Sequence, residues 1–214
     1  MFVGVGLPIE QGFVQSLAAP GGYITGFTNV EDSIGGKMLQ LLREIDPRIV
    51  RVAVIYNPQT APYAAFYLRA VESAARGLGV AVVSTPVQSV AAMEDAMGEL
   101  ARQPGGGMIS IPDAFTTQHR EQIIAMAARN KIPAIYSRRM HTVEGGLMTY
   151  AADSGDLMQR AAGYADRILR GEKPADLPVQ QPARFNFLIN LKTAAALGLS
   201  VPLTLQASAD EVIE

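Results

Sequence analysis

The residues of this chain best suited to chemistry stand at the ends of apolar runs. Tyr56-Asn57-Pro58 closes one run, Pro112-Asp113 a second, Tyr136-Ser137 a third and Tyr150-Ala151-Ala152-Asp153 a fourth. Together these types suit a small polar ligand with an apolar ring. Tyrosine faces stack, asparagine and serine orient by hydrogen bonds, and an aspartate pairs with an ammonium group. The competing reading assigns Asn57 and Asp153 to helix capping and the tyrosines to packing. The expected ligand contacts are Asn57, Asp113, Tyr136, Ser137, Tyr150 and Asp153, together with Thr28.

Catalytic constellations are scarce. The two histidines, His119 and His141, lie in no HExxH motif and no cluster with metal-ligand spacing. Ser110 and Ser137 have no GxSxG elbow around them, and the chain has no cysteine to act as nucleophile or thiolate ligand. Asp153 and Asp156 could form a carboxylate pair, although capping at a helix start explains both. Arg138-Arg139 could hold a ligand carboxylate or stand as a solvated pair. The glycine-rich stretches Pro20-Gly21-Gly22 and Gly105-Gly106-Gly107 fit no phosphate-binding fingerprint and read as turns. Gly35-Gly36-Lys37 opens a helix but lacks the phosphate-loop spacing. No cofactor and no metal is expected, and the chain is not expected to be an enzyme.

The elements that must position these residues follow from periodicity. Val50–Tyr56, Val80–Ser84, Gly107–Ile111, Ile132–Tyr136 and Gly146–Tyr150 are short, nearly continuous apolar runs. Each reads as a strand of a parallel sheet, buried on both faces. Helical stripes lie between them: Met38, Leu41, Leu42 and Ile45; Val90, Met93, Met97 and Leu100; Ile123, Ile124 and Ala127 within Gln118–Asn130; and Leu157 to Ile168 in a long helix ending at Gly171. Strand–helix alternation at this spacing predicts an α/β fold with a Rossmann-like parallel-sheet lobe. In such a sheet the ligand crevice lies beyond the carboxyl ends of the strands, where the residues above stand. Outside that lobe, Phe2–Gly6 reads as a strand, Gln11–Ala18 as a helix, residues 172–184 as a proline-rich connector, Phe185–Asn190 as a strand and Leu191–Leu197 as a short helix.

With 214 residues, 49% of them hydrophobic, the chain can bury a large core. Its net charge of −2 carries no basic patch for nucleic acid or an anionic membrane. No apolar run reaches the roughly 18 residues of a membrane span.

The ordered set of soft motifs resembles a known family. It includes Ser16-Leu17-Ala18-Ala19-Pro20-Gly21-Gly22 with Thr25-Gly26, Arg51-Val52-Ala53-Val54 with Tyr56-Asn57-Pro58, and Pro133-Ala134-Ile135-Tyr136. It continues through Gly145-Gly146-Leu147-Met148, Lys173-Pro174-Ala175-Asp176-Leu177-Pro178 and Leu188-Ile189-Asn190-Leu191-Lys192-Thr193-Ala194 to Ala209-Asp210-Glu211-Val212-Ile213. These stretches resemble the ABC-transporter substrate-binding proteins of the tryptophan/tyrosine type. The resemblance implies a two-lobed periplasmic-binding-protein type I fold that closes by a hinge over a small organic ligand, amino-acid-like and in some members aromatic. It also implies an ABC permease as partner and a periplasmic or extracytoplasmic location.

On that pattern residues 1–36 are a partial first lobe and crossover, 37–152 the complete second lobe, 153–178 a helix returning to the first lobe, and 179–214 a C-terminal crossover strand and helix. Two departures stand out. Family members usually carry a signal peptide and most of a first lobe ahead of the position of Met1, and an Asp often stands where this chain has Leu7. The expected consequence is pairing of copies into a homodimer through the incomplete first lobe. A sensory or regulatory ligand-binding domain of the same fold is the alternative function.

Overall fold

The computed structural model describes residues 1–31 and 33–214. The chain divides into two compact units, one of Met1–Glu31 with Ala152–Phe185 and one of Asp32–Ala151 with Asn186–Glu214.

The larger unit is built on a seven-stranded sheet. Its strands are β3 (Arg51–Tyr56), β4 (Ala81–Pro86), β5 (Gly106–Ser110), β6 (Ala134–Tyr136), β7 (Met148–Ala152), β8 (Phe185–Asn190) and β9 (Glu211–Ile213), in the spatial order β4-β3-β5-β6-β7-β8-β9. The ladders β3–β4, β3–β5, β5–β6, β6–β7 and β8–β9 are parallel. The chain starts at β3, steps outward to β4, then crosses to β5 on the other side. The order therefore reverses between β3 and β5, the place where open sheets of this kind leave a crevice.

On one face, Ala53 and Ile55 of β3, Met108 of β5 and Ala134 of β6 meet Met93 and Met97 of α3 (Val90–Ala101) and Ile123 of α5 (Arg120–Arg129). Met93, Met97 and Met108 are fully buried, each removing roughly 1.5–3 kcal/mol worth of apolar surface from water. The helices α1 (Ile34–Ile45) and α2 (Ala64–Leu78) pack against each other. Gly35 permits the close approach, since a Cβ there would lie 3.0 Å from the carbonyl oxygen of Tyr67. The Gly35-Gly36 pair thus serves helix packing.

Two sequence expectations are corrected. The run around Val80–Ser84 forms β4, but as the edge strand it is largely exposed, with Val83 at 45%. Its apolar residues meet a helix layer on one side only, so the run is not buried on both faces. Gln11–Ala18 does not form a helix. The amides of Phe13 and Val14 both bond the carbonyl of Pro8, Gly12 turns left-handed (φ 74°), and the Gln15 amide bonds the carbonyl of Pro20. These contacts close turns and leave no i→i+4 ladder to propagate.

The C-terminal segment belongs to the larger unit from Asn186 onward. Asn190 caps α8 (Leu191–Ala196) by accepting from the Thr193 amide and donates to the carbonyl of Thr142, while the Thr193 hydroxyl donates to the carbonyl of Gly145. The unit ends with α9 (Leu203–Ala207) and β9. The division between the two units falls after Phe185, at the start of β8, which lies beside β7 in the large sheet.

The smaller unit holds β1 (Phe2–Val5) and β2 (Gly26–Thr28) in parallel, with Gln180 bridging the far side of β2 at Phe27. The helix α7 (Ser154–Leu169) covers them through Leu157, Ala161 and Tyr164. The Tyr164 ring meets Phe27 edge-on at 4.9 Å, and its hydroxyl donates to the carbonyl of Pro178. The Thr25 hydroxyl ties the start of β2 to the carbonyl of Leu177.

Candidate functional site

The carboxyl ends of β3 and β5 are joined by Asp113. This residue is 1% exposed. Its carboxylate accepts from the Asn57 amide at 2.9 Å, the Phe115 amide at 3.0 Å and the Thr116 amide at 3.4 Å, and also from the Thr60 hydroxyl. It thereby caps α4 (Ala114–Gln118) and fastens the turn after β3 to the turn after β5. Asn57, equally buried, turns its Oδ1 back to the Gln59 amide at 2.8 Å. Both residues follow the carboxyl ends of their strands, the edge at which the reversal of strand order leaves a crevice. Their polar atoms are used in building its floor.

The wall beside that floor comes from α2. Tyr63 and Tyr67 lie one helical turn apart at the start of the helix, their rings 6.3 Å apart. The Tyr63 hydroxyl donates to the carbonyl of Pro112 at 2.8 Å. Tyr67 is wholly buried, and its hydroxyl has no hydrogen-bond partner among the described residues. Burial pushes both phenols up, and the charge of Arg138 pulls each back toward ionisation. Sequence reading missed this pair. The signal that could have found it is the i, i+4 spacing of two tyrosines just after a strand end, which sets both on one helix face.

At the end of β6, Tyr136 is wholly buried and stacks on His141 of α6 (Arg139–Val143), centroids 4.9 Å apart and planes 12° apart. Burial holds the His141 imidazole below its ordinary value and pushes the Tyr136 phenol up. The Tyr136 hydroxyl, His141 Nε2 and the Ser110 hydroxyl at the end of β5 have no partner among the described residues. Ser137 is buried at the same edge. Tyr150 on β7 is half-buried, with its ring edge-on to Phe187 of β8 at 6.5 Å.

The structure thus brings Asn57, Asp113, Tyr136, Ser137 and Tyr150 to the sheet of the larger unit. Thr28 and Asp153 belong to the smaller unit. The Thr28 hydroxyl is engaged with the amide and carbonyl of Val30, and Asp153 caps α7 through the amides of Gly155 and Asp156. Among the described residues no group of three or more His, Asp or Glu is arranged to hold a metal.

The arrangement gathers aromatic rings and buried hydroxyls at the carboxyl edge of the sheet. The family model of ABC transporter substrate binding proteins matches residues 1–213. The chain belongs to that family. The chain is 26% identical over 193 residues, 90% of its length, to the tyrosine-binding protein of Clostridioides difficile (strain R20291). The chain spans 54% of that relative's length. Two solved structures share its fold. A conserved domain protein from Vibrio cholerae aligns with a TM-score of 0.88 at 23% identity. The ABC domain in complex with L-Trp from Streptococcus pneumonia aligns with a TM-score of 0.87 at 22% identity. Each alignment covers 99% of this chain and 70% of the other. The fold of the chain is therefore the α/β, periplasmic-binding-protein type I-like one. None of its described helices is long and apolar enough to cross a membrane.

Proposed function

We propose that this substrate-binding protein captures a small amino-acid-like ligand, aromatic ones included, at the carboxyl edge of its large sheet. The observation that carries the reading is the row of tyrosines and hydroxyls along the carboxyl edge of the sheet: Tyr63 and Tyr67 after β3, Ser110 at the end of β5 and Tyr136 at the end of β6, with the strand order reversing between β3 and β5. Such a site binds by stacking and hydrogen bonding, and no bond is made or broken. The tyrosine-binding relative and the L-Trp complex support an aromatic amino acid as the first ligand to try. The rest of the proposal follows the family. Thr28 and Asp153 add ligand contacts, the two lobes close by a hinge, an ABC permease receives the ligand, and the protein works outside the cytoplasm. Copies pair through the strand edge of the smaller unit.

The test is a thermal-shift and calorimetric screen of the purified chain with aromatic and branched amino acids. A ligand held at about 100 times its Kd stabilises the fold by roughly 2.7 kcal/mol. The expected result is a rise in Tm with one or more aromatic amino acids that shrinks in Tyr150→Ala. A flat response to the whole panel overturns the reading.

A further inference from the structure

The edge of the large sheet opposite the crevice holds a cavity of its own. β3, β5 and β6 run parallel, so the loops that lead into them meet at one edge. Between those loops lies a space of about 430 Å³, within the roughly 300–1,000 Å³ range of small-molecule sites. Asp46 and Arg48 line it from the loop before β3 and Lys131 from the loop before β6, while Val50, Leu100 and Ile132 give it apolar wall.

The loops are fixed from behind. The Arg43 guanidinium donates to the carbonyls of Pro47 and Ile49, the latter at 2.6 Å. The Arg51 guanidinium donates to the carbonyl of Leu100 at 2.8 Å and to that of Gln103. Arg48 is itself held by Asp46, whose carboxylate accepts from Nε at 2.8 Å and from Nη2 at 3.0 Å. That fork keeps the guanidinium in place and leaves its Nη1 donors for another acceptor.

Lys131 supplies a second, independent observation. The Lys131 amide bonds the carbonyl of Ala128 at 3.1 Å and the Ile132 amide that of Ala127 at 2.9 Å, the Schellman closure of α5. Lys131 therefore takes the left-handed position, at φ 51°. Beyond the ends of α2, α7 and α8 the left-handed residue is a glycine: Gly79, Gly171 and Gly198. A lysine there bears strain that glycine would not. Its ammonium group joins none of the ion pairs found among the described residues. The cavity is thus lined by one carboxylate, already paired, and two cations, one of them unpaired.

We infer that this cavity is a second binding site, for a small organic monoanion with an apolar body, separate from the amino-acid site at the carboxyl edge. The anionic head would accept from Arg48 Nη1 and from the Lys131 ammonium, and the body would lie against Val50, Leu100 and Ile132.

The experiment titrates the full, isotopically labelled chain with benzoate and hexanoate against benzamide and hexanamide, read from backbone amide resonances. The expected result is saturable shifts at Gly105, Gly106 and Lys131, with Tyr136 and Tyr150 at the other edge unmoved. The anions should bind roughly 3–10-fold more tightly than the amides, the range of a partly exposed ion pair. Acetate, which has the head without the body, should bind more weakly than hexanoate. Lys131→Gln should remove most of the preference for the anion with Tm unchanged. Lys131→Gly should remove it too while raising Tm, because glycine relieves the left-handed backbone. No saturable shift with either anion, equal binding of anion and amide, acetate binding as well as hexanoate, or a preference that survives both variants overturns the site.

Discussion

At the scale of single residues, the chemistry of the crevice is decided by which polar atoms the fold has already used. Asp113 looks like a partner for an ammonium group when it is read as the end of an apolar run. Four donors saturate its carboxylate, so it holds two turns together and has little left to offer a ligand. Asn57 is used in a similar way. Tyr67 shows the reverse case, in which tertiary packing leaves a buried hydroxyl without an acceptor among the described residues and no spacing rule reports it. His141 carries a consequence for stability. Burial, the largest influence on it, depresses its pKa in the folded state below the unfolded value of about 6.5. The unfolded chain therefore takes up the proton first as pH falls. The neutral ring's contribution is present above about pH 6.5 and is lost below it, with a slope of up to about 1.4 kcal/mol per pH unit. Urea unfolding between pH 8 and pH 5 should show this decline. His141→Phe, which keeps a ring against Tyr136, should flatten it. An unchanged slope in the variant would mean that other groups set the acid limb.

At the scale of elements, most of the large unit was readable because its strands are short apolar runs and its helices carry clear stripes. The periods of burial in β3, β5 and α1 match the residue patterns that predict them. What was not readable depends on neighbours. Nothing local marks β4 as an edge strand, since edge or centre is a property of strand order. The 11–18 stretch has helix-compatible residues, but the carbonyls of Pro8 and Pro20 capture its amides. The C-terminal segment joins the large sheet through β8, beside β7, and the side chains of Asn190 and Thr193 add bonds to the carbonyls of Thr142 and Gly145 that no local pattern announces. Glycines test this difference between local and tertiary causes. Gly98 lies inside α3, and a Cβ there would meet nothing within 4 Å. Gly98→Ala should stabilise the protein by about 0.5–1 kcal/mol through helix propensity. A Cβ at Gly146 would stand 2.7 Å from both the His141 carbonyl oxygen and Tyr136 Cε2. Gly146→Ala should therefore cost at least about 1–3 kcal/mol, because the stacked pair cannot give way without disturbing the core. Denaturant midpoints for the two variants should move in opposite directions. A shift of the same sign in both would show that the Tyr136–His141 stack is softer than its geometry implies.

At the scale of the whole molecule, the two units are built to different degrees of closure. The larger one carries seven strands and its own core, so its crevice floor is present within one sheet. The smaller one pairs only β1 and β2 as strands, with Gln180 bonded to β2 and α7 over one face. On the side of β1 away from β2, no strand of the described residues pairs with it. Apolar side chains stand exposed in this unit, among them Ile9 at 41% and Phe13 at 45%, the latter with its ring 6.3 Å from that of Phe2 on β1. An open edge beside apolar surface is a template for another chain. Net charge is only −2, so repulsion between copies is weak. Self-association of the chain through this edge is the expected outcome, read by sedimentation as a weight-average mass that climbs with concentration. The double variant Ile9→Lys, Phe13→Lys places charges beside the edge without entering the core of either unit. It should hold the protein near its monomer mass over the same range while leaving the Tm within a few degrees. The thermal check separates a blocked edge from a damaged fold. A parent chain that sediments as a monomer at every concentration would show that the β1 edge is too short, at four residues, to recruit a partner.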